Sequence, residues 1–180
     1  LVAGNLAFKQ SALASGDSGV EAAAAWLAGQ SSATLWNDGA GNGYFAKVES
    51  PNALSGQTWS AFWDSKPASD KCAVAWSAGV ATCSNNPTED SAGNRVAYMI
   101  HRLCRYKAGD VVGGKSLTGS ASDPATDCAT AAGIANSEGL SHIAGQRQVS
   151  LSTTDAYFRI TVRSTGPRNT VTFTQAVVAH

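Results

Sequence analysis

Four cysteines are the residues of this sequence whose chemistry is easiest to assign. They stand at Cys72, Cys83, Cys104 and Cys128. Their number is even, and none has the C-x-x-C spacing that zinc sites and thioredoxin-like redox motifs use. The pattern therefore favours two disulfides, with four buried free thiols in a cytosolic protein as the alternative.

Four cysteines allow three pairings, and the sequential one closes two short loops. We therefore favour a bond between Cys72 and Cys83 and another between Cys104 and Cys128. On the chain-entropy model each closure would stabilise the fold by roughly 3 kcal/mol. Because disulfides persist only in oxidising compartments, the cysteines predict a periplasmic or extracellular domain.

No combination of the remaining reactive side chains forms a recognised catalytic motif. The sequence has no G-x-S-x-G elbow, no H-E-x-x-H pair, no glycine-rich phosphate loop and no EF-hand run of acidic ligands. The three histidines stand on a predicted strand, in a loop and at the chain end, as His101, His142 and His180. We expect His101 to be a packed or strand-surface residue rather than a base or a ligand. The sequence predicts no enzyme and no cofactor.

Three carboxylates raise the question of a calcium site. Asp123, Asp127 and Glu138 lie in one loop-like region, and calcium needs several carboxylate or carbonyl oxygens. Their irregular spacing favours solvated loop carboxylates instead. We therefore expect no metal at these residues.

Composition limits the class of partner. Of 180 residues only 14% are charged, and thirteen basic residues balance thirteen acidic ones. This balance leaves no positive field to hold nucleic acid by counterion release. The length fits one domain, residues 1–180. We find neither a signal peptide nor an apolar stretch of membrane-spanning length, and the opening run from Leu1 reads as the middle of a helix, as in a truncated chain.

Residues 1–30 predict a long amphipathic helix. An apolar residue recurs every seventh position, which marks a packing face made of Leu6, Leu13, Val20 and Leu27. The same segment contains Gly4, Gly16 and Gly19, each of which costs a helix up to about 1 kcal/mol relative to alanine. The glycines would permit either curvature of the helix or its close approach to a sheet.

Residues 31–180 predict a sheet with long loops. The run Arg95–Tyr106 has the apolar density of a central strand, and the segment between Cys72 and Cys83 suits a small hairpin. A short strand is expected at Tyr44–Val48, a short helix at Thr58–Lys66 and a long surface excursion over residues 107–147.

The closing segment predicts a β-hairpin with strands Ala156–Arg163 and Thr170–Val178, in which one face is buried and the other is wet. A long helix laid across an antiparallel sheet is an α+β architecture.

Three separate segments resemble PilX-type minor pilins of bacterial type IV pili. The opening run contains A-G-N-L-A-F-K-Q and G-D-S-G-V-E-A-A, which resemble the helix that follows the membrane segment in that family. The strand RVAYMIHRLC and the closing segment YFRITVRSTGPRNTVTFTQAVV are similar to its later strands. The match covers both ends and part of the middle, whereas residues 31–94 and the excursion after Cys104 match only in general character.

The resemblance implies a fold and a role. It implies a pilin-like head whose helix continues an apolar half-helix, anchored in the inner membrane before assembly and placed in the extracellular fimbrium afterwards. Expected partners are other minor pilins, the major pilin and a PilY-type tip adhesin, and the expected roles are pilus assembly and cell adhesion. The family has no catalytic residues to carry over.

Two alternatives stay open beside a minor pilin. The pilin resemblance also implies a cleaved leader peptide upstream, and a minor pseudopilin of a type II secretion system would share this leader and the long helix. An exported carbohydrate-binding module would use surface aromatics, chosen among Trp36, Trp59, Trp63 and Trp76, although tryptophan more often packs in a core.

Overall fold

The computed structural model describes residues 2–39, 42–119, 128–129 and 156–180. One long helix, α1, spans Val2–Ala28 and confirms the helix expected over residues 1–30. A second helix, α2, spans Trp59–Ser65, where the Thr58 side chain caps its first turn by accepting a hydrogen bond from the N–H of Ala61. The strands are β1 (Tyr44–Phe45), β2 (Cys72–Ser77), β3 (Val80–Cys83), β4 (Arg95–Arg102), β5 (Val111–Val112), β6 (Lys115–Ser116), β7 (Tyr157–Gly166) and β8 (Thr170–Ala179).

The main sheet has the order β3-β2-β4-β7-β8, with every neighbouring pair antiparallel. Strand β1 adds a short parallel pairing to β4, with Tyr44 opposite Ile100. As its apolar composition predicts, β4 lies in the centre of the sheet. The protein is thus an α+β fold in which a long helix packs on an antiparallel sheet.

Both predicted hairpins are present, with tighter turns than the sequence indicated. In the β2–β3 hairpin the turn residues Ala78 and Gly79 both have positive φ angles, as a two-residue type I′ turn requires. The β7–β8 hairpin turns within Pro167–Asn169, so β7 continues three residues past the predicted end at Arg163. The expected strand at Tyr44–Val48 contracts to the two residues of β1.

One face of the sheet packs on α1. Buried side chains of β4 and β7, among them Tyr98, Ile100 and Ile160, meet Ala23 and Leu27 of the helix there. The helix approaches closely at Gly19, where a Cβ would lie 2.6 Å from Val96 Cγ1 and 2.7 Å from Val162 Cγ1. Of the two roles considered for Gly16 and Gly19, the contacts support close packing.

The predicted packing face of α1 is wrong for its first half. Leu27 is 2% exposed and Val20 is half-buried, but Leu6 and Leu13 are 56% and 47% exposed. A seven-residue repeat drifts by about 20° per heptad around a straight helix, so Leu6 and Leu27 lie about 60° apart. The line that faces the sheet consists of small residues instead, namely Ala12, Gly16, Gly19 and Ala23.

The alternation in β7 predicted that the opposite face of the sheet is exposed to solvent, and this prediction is wrong. Helix α2 covers part of it with Phe62 and Trp63, which form a second core with Met99 of β4. Thr161 of β7, predicted on the wet face, is fully buried. The fold therefore has three layers, namely α1, the sheet and α2. The spacing of the aromatic residues in Trp59–Ser65 explains why α2 can cover the second face of the sheet.

Both disulfides have the predicted pairing. Cys72–Cys83 links β2 to the end of β3, with the Cα atoms 5.4 Å apart, and Cys104–Cys128 follows β4, with the Cα atoms 3.9 Å apart. Within the predicted excursion over residues 107–147, the β5–β6 hairpin is regular structure that the sequence did not indicate. Most of the rest of that excursion lies outside the described residues.

Candidate functional site

The N-terminal part of α1 extends past the end of the sheet. Phe8 meets the turn of the β7–β8 hairpin, where the guanidinium of Arg168 lies 5.6 Å from its ring centroid. The helix residues before Phe8 continue beyond this turn by about 9 Å, at 1.5 Å per residue. Leu6 lies in this extension and is exposed. Because a lone helix turn has no core of its own, the exposed Leu6 side chain adds apolar surface outside the core.

Further along α1, a cluster of polar side chains ties the helix to the loop before β4. The Asp90 carboxylate accepts a hydrogen bond from the Ser15 hydroxyl and another, 3.1 Å long, from the Asn94 side-chain amide. Asn94 Nδ2 also lies 2.9 Å from each of the Ser11 and Ser15 hydroxyl oxygens. Burial raises the pKa of Asp90, but these hydrogen bonds and those from the N–H groups of Ala92 and Asn94 hold it below its usual value.

Within the described residues, this cluster ties α1 to the loop before β4, and no histidine lies beside Ser15. A serine nucleophile needs a base beside it, usually histidine. His101 lies on the opposite face of the sheet, and His180 contacts the Gln30 carbonyl at the far end of α1. Sequence reasoning did not find the cluster, although the four-residue spacing of Asp90 and Asn94 in a polar loop is typical of a side chain that caps its own turn.

An open groove runs beside the cluster, between α1 and the turn of the β2–β3 hairpin. It encloses about 430 Å³, and its walls include Ser18, Trp76 and Gly79. The hydroxyl groups and the indole give it a mixed polar and aromatic surface.

His101 is packed on the face of the sheet that α2 covers, as predicted. Its ring stacks on Phe45 with 4.6 Å between the centroids and lies 6.2 Å from Phe62. Burial, helped by the positive charges of Arg159 and Lys66, lowers the pKa of His101 to about 3. The imidazole is therefore neutral at physiological pH.

The four tryptophans weighed for carbohydrate binding have different surroundings. Trp63 is 2% exposed and belongs to the core, so it is not a surface aromatic. Arg159 lies over Trp59 at 4.8 Å from the ring centroid, and Arg102 lies over Trp36 at 4.6 Å. Trp76, in contrast, borders the groove.

The candidate calcium ligands Asp123, Asp127 and Glu138, and also His142, lie outside the described residues. Within the described ranges, no three histidine, cysteine, aspartate or glutamate residues come together as a metal site would require. No helix among the same residues has both the length and the apolar character needed to cross a membrane.

Comparison with known proteins adds no relative to this description. No family model, no curated protein and no solved structure matches the chain significantly.

Proposed function

We propose that this chain is the head of a minor pilin of a type IV pilus, a structural subunit that helps to start fibre assembly and contributes to adhesion at the tip. The observation that carries the proposal is the extension of α1 beyond the sheet with Leu6 exposed on it. A subunit that joins a fibre through its helix needs such apolar surface outside its own core.

Two further features support this proposal. The three-segment resemblance to PilX-type minor pilins covers α1, β4 and the β7–β8 hairpin, which are the elements that form the layer of helix on sheet. The two disulfides suit the periplasm and the extracellular fibre, where thiols are oxidised.

In this role the protein works by contact rather than by chemistry. Anchored in the inner membrane before assembly, the subunit would offer the extension of α1 to the helices of the major pilin and of other minor pilins. The regions tied by Cys72–Cys83 and Cys104–Cys128 would remain on the outside of the fibre, available to a PilY-type adhesin.

The test is fibre assembly in cells deleted for the gene, with pilus retraction intact and with retraction blocked. A priming or stabilising subunit predicts loss of surface fibres, restored when retraction is blocked. Complementation with the wild-type gene should restore fibres, whereas Leu6→Asp should fail because it places a charge on the apolar extension. Leu54→Asp is the matched control, since Leu54 is fully exposed in a separate short turn.

Unchanged fibres, adhesion and motility in the deleted cells would contradict the proposal. Loss of type II secretion in those cells would favour a minor pseudopilin instead.

A carbohydrate-binding module is the second candidate, favoured by the position of Trp76 beside the groove. It predicts binding on a glycan panel that Trp76→Ala abolishes.

A further inference from the structure

Among the described residues, strand β8 is an edge strand without the usual protection. It pairs with β7 along its whole length, from Ala179 opposite Tyr157 to Thr170 opposite Gly166, with no bulge. None of the described residues pairs with its other edge. Thr170–Ala179 contains no charged residue, proline or glycine, although charges, prolines and bulges are what natural proteins use to prevent strand pairing.

Exposed apolar side chains lie beside this edge on the face of the sheet that carries α2. Val171 and Val177 project to that face together with Phe173, and they are 41% and 59% exposed. A strand added to β8 would cover them with alternate side chains. Main-chain hydrogen bonding and apolar burial would therefore reinforce each other at the same edge.

The Leu13–Val20 side of α1 borders the same edge on the other face of the sheet. Gly16 abuts β8, since a Cβ there would lie 2.7 Å from Thr174 Oγ1. Residues three and four apart share one side of a helix, so Leu13 and Val20 lie next to Gly16. The polar residues Ser11 and Ser18 border the groove at the β2–β3 hairpin, which places Leu13 on the side away from it, toward β8.

The Leu13–Val20 side of α1 and strand β8 have nearly the same midpoint. Leu13 and Val20 are spaced evenly about the point between Gly16 and Asp17, and Gly16 lies against Thr174 near the middle of β8. If two β8 strands pair antiparallel about a two-fold axis there, Leu13 of one copy lies opposite Val20 of the other. An isologous contact of this kind requires such self-complementarity.

The spacing of the elements permits helix contact in the same arrangement. Helix α1 lies over β7 and β8, since Gly19 abuts Val162 of β7 and Gly16 abuts Thr174 of β8. With neighbouring strands about 4.8 Å apart, pairing of two β8 strands would place the two α1 axes about 10–14 Å apart. Helices are about 10–12 Å wide with their side chains, so the Leu13–Val20 sides of the two helices can meet.

We propose that the β8 edge and the adjoining Leu13–Val20 side of α1 bind a second copy of this chain, through antiparallel pairing of the two β8 strands and contact of the two α1 helices. This proposal does not rest on the proposed function, because it concerns the protein alone in solution. A monomeric protein that still supports fibre assembly would overturn only the dimer.

Sedimentation velocity of the purified protein between about 1 and 100 μM tests it. We expect a concentration-dependent dimer whose dissociation constant rises at least tenfold in Val177→Lys and in Leu13→Lys, because each puts a charge into the contact. Val80→Lys is the matched control. Val80 is an exposed valine on β3, at the opposite edge of the sheet, so we expect its replacement to leave the dimer unchanged.

Asp17 provides a variant with the opposite sign. It is exposed, four residues after Leu13 and three before Val20, so its two copies would lie near each other across the axis. We expect Asp17→Asn to tighten the dimer several-fold by removing this repulsion. A protein that stays monomeric up to 100 μM, or a dimer weakened by Val80→Lys and indifferent to Val177→Lys, would overturn the proposal.

Discussion

Buried polar residues in this protein join elements that lie far apart in the sequence. Asn94, fully buried at the start of β4, donates through its amide to Ser15 on α1 and to Asp90 in its own loop. Because a buried donor left unpaired costs about 1–3 kcal/mol, this arrangement specifies how α1 sits on the loop. His101 is buried on the opposite face of the sheet, where ring contacts with Phe45 and Phe62 hold it and none of the described residues hydrogen-bonds its ring.

His101 should make the protein sensitive to acid. Its pKa is about 3 in the fold, whereas an unfolded histidine has a pKa near 6.5, so the unfolded state binds the proton first as the pH falls. Stability is therefore lost below pH 6.5, by about 2–3 kcal/mol between pH 6.5 and 4.5. In His101→Leu this loss should shrink, as urea unfolding at the two pH values would measure. An unchanged difference between the two pH values in His101→Leu would contradict this assignment.

At the scale of elements, the contact between α1 and the sheet depends on small residues. Gly19 lies against Val96 and Val162, two branched side chains inside the core. Leucine at this position would gain about 1 kcal/mol of helix propensity but overpack the interface, which typically costs 1–3 kcal/mol and more where neighbours cannot move.

We therefore expect Gly19→Leu to lower the free energy of unfolding by at least about 1 kcal/mol, measured by urea denaturation. Ala7→Leu is the matched control, since Ala7 is exposed on the same helix. Equal stability of the two variants would mean that the helix can shift on the sheet.

For the molecule as a whole, the two disulfides connect segments that are separated along the chain. Cys72–Cys83 joins the ends of an edge hairpin, and Cys104–Cys128 holds residues 128–129 against β4 and β7, where Ala129 N–H donates to the Leu103 carbonyl at 2.8 Å. The bonds close segments with sequence separations of 11 and 24 residues. The longer closure removes slightly more entropy from the unfolded chain.

Removing either bond should cost about 3 kcal/mol on that model, with the larger loss for the Cys104–Cys128 pair. The variants are Cys72→Ser with Cys83→Ser, and Cys104→Ser with Cys128→Ser. Chemical denaturation of each double variant against the wild type measures the loss. If either double variant is as stable as the wild type, the bond that it lacks does not constrain the unfolded chain.

Local spacing in the sequence determined the long helix, the position of α2, the two hairpins and the disulfide pairing. Each of these depends on residues close together in the chain, such as Cys72 and Cys83 at the two ends of one hairpin. Only the tertiary structure decided which side of α1 meets the sheet, because a stripe of leucines does not reveal that glycines permit a closer approach. The covering of the second sheet face by Phe62 and Trp63, and the meeting of Ser15 with Asp90, were likewise decided by contacts between distant segments, which no local pattern encodes.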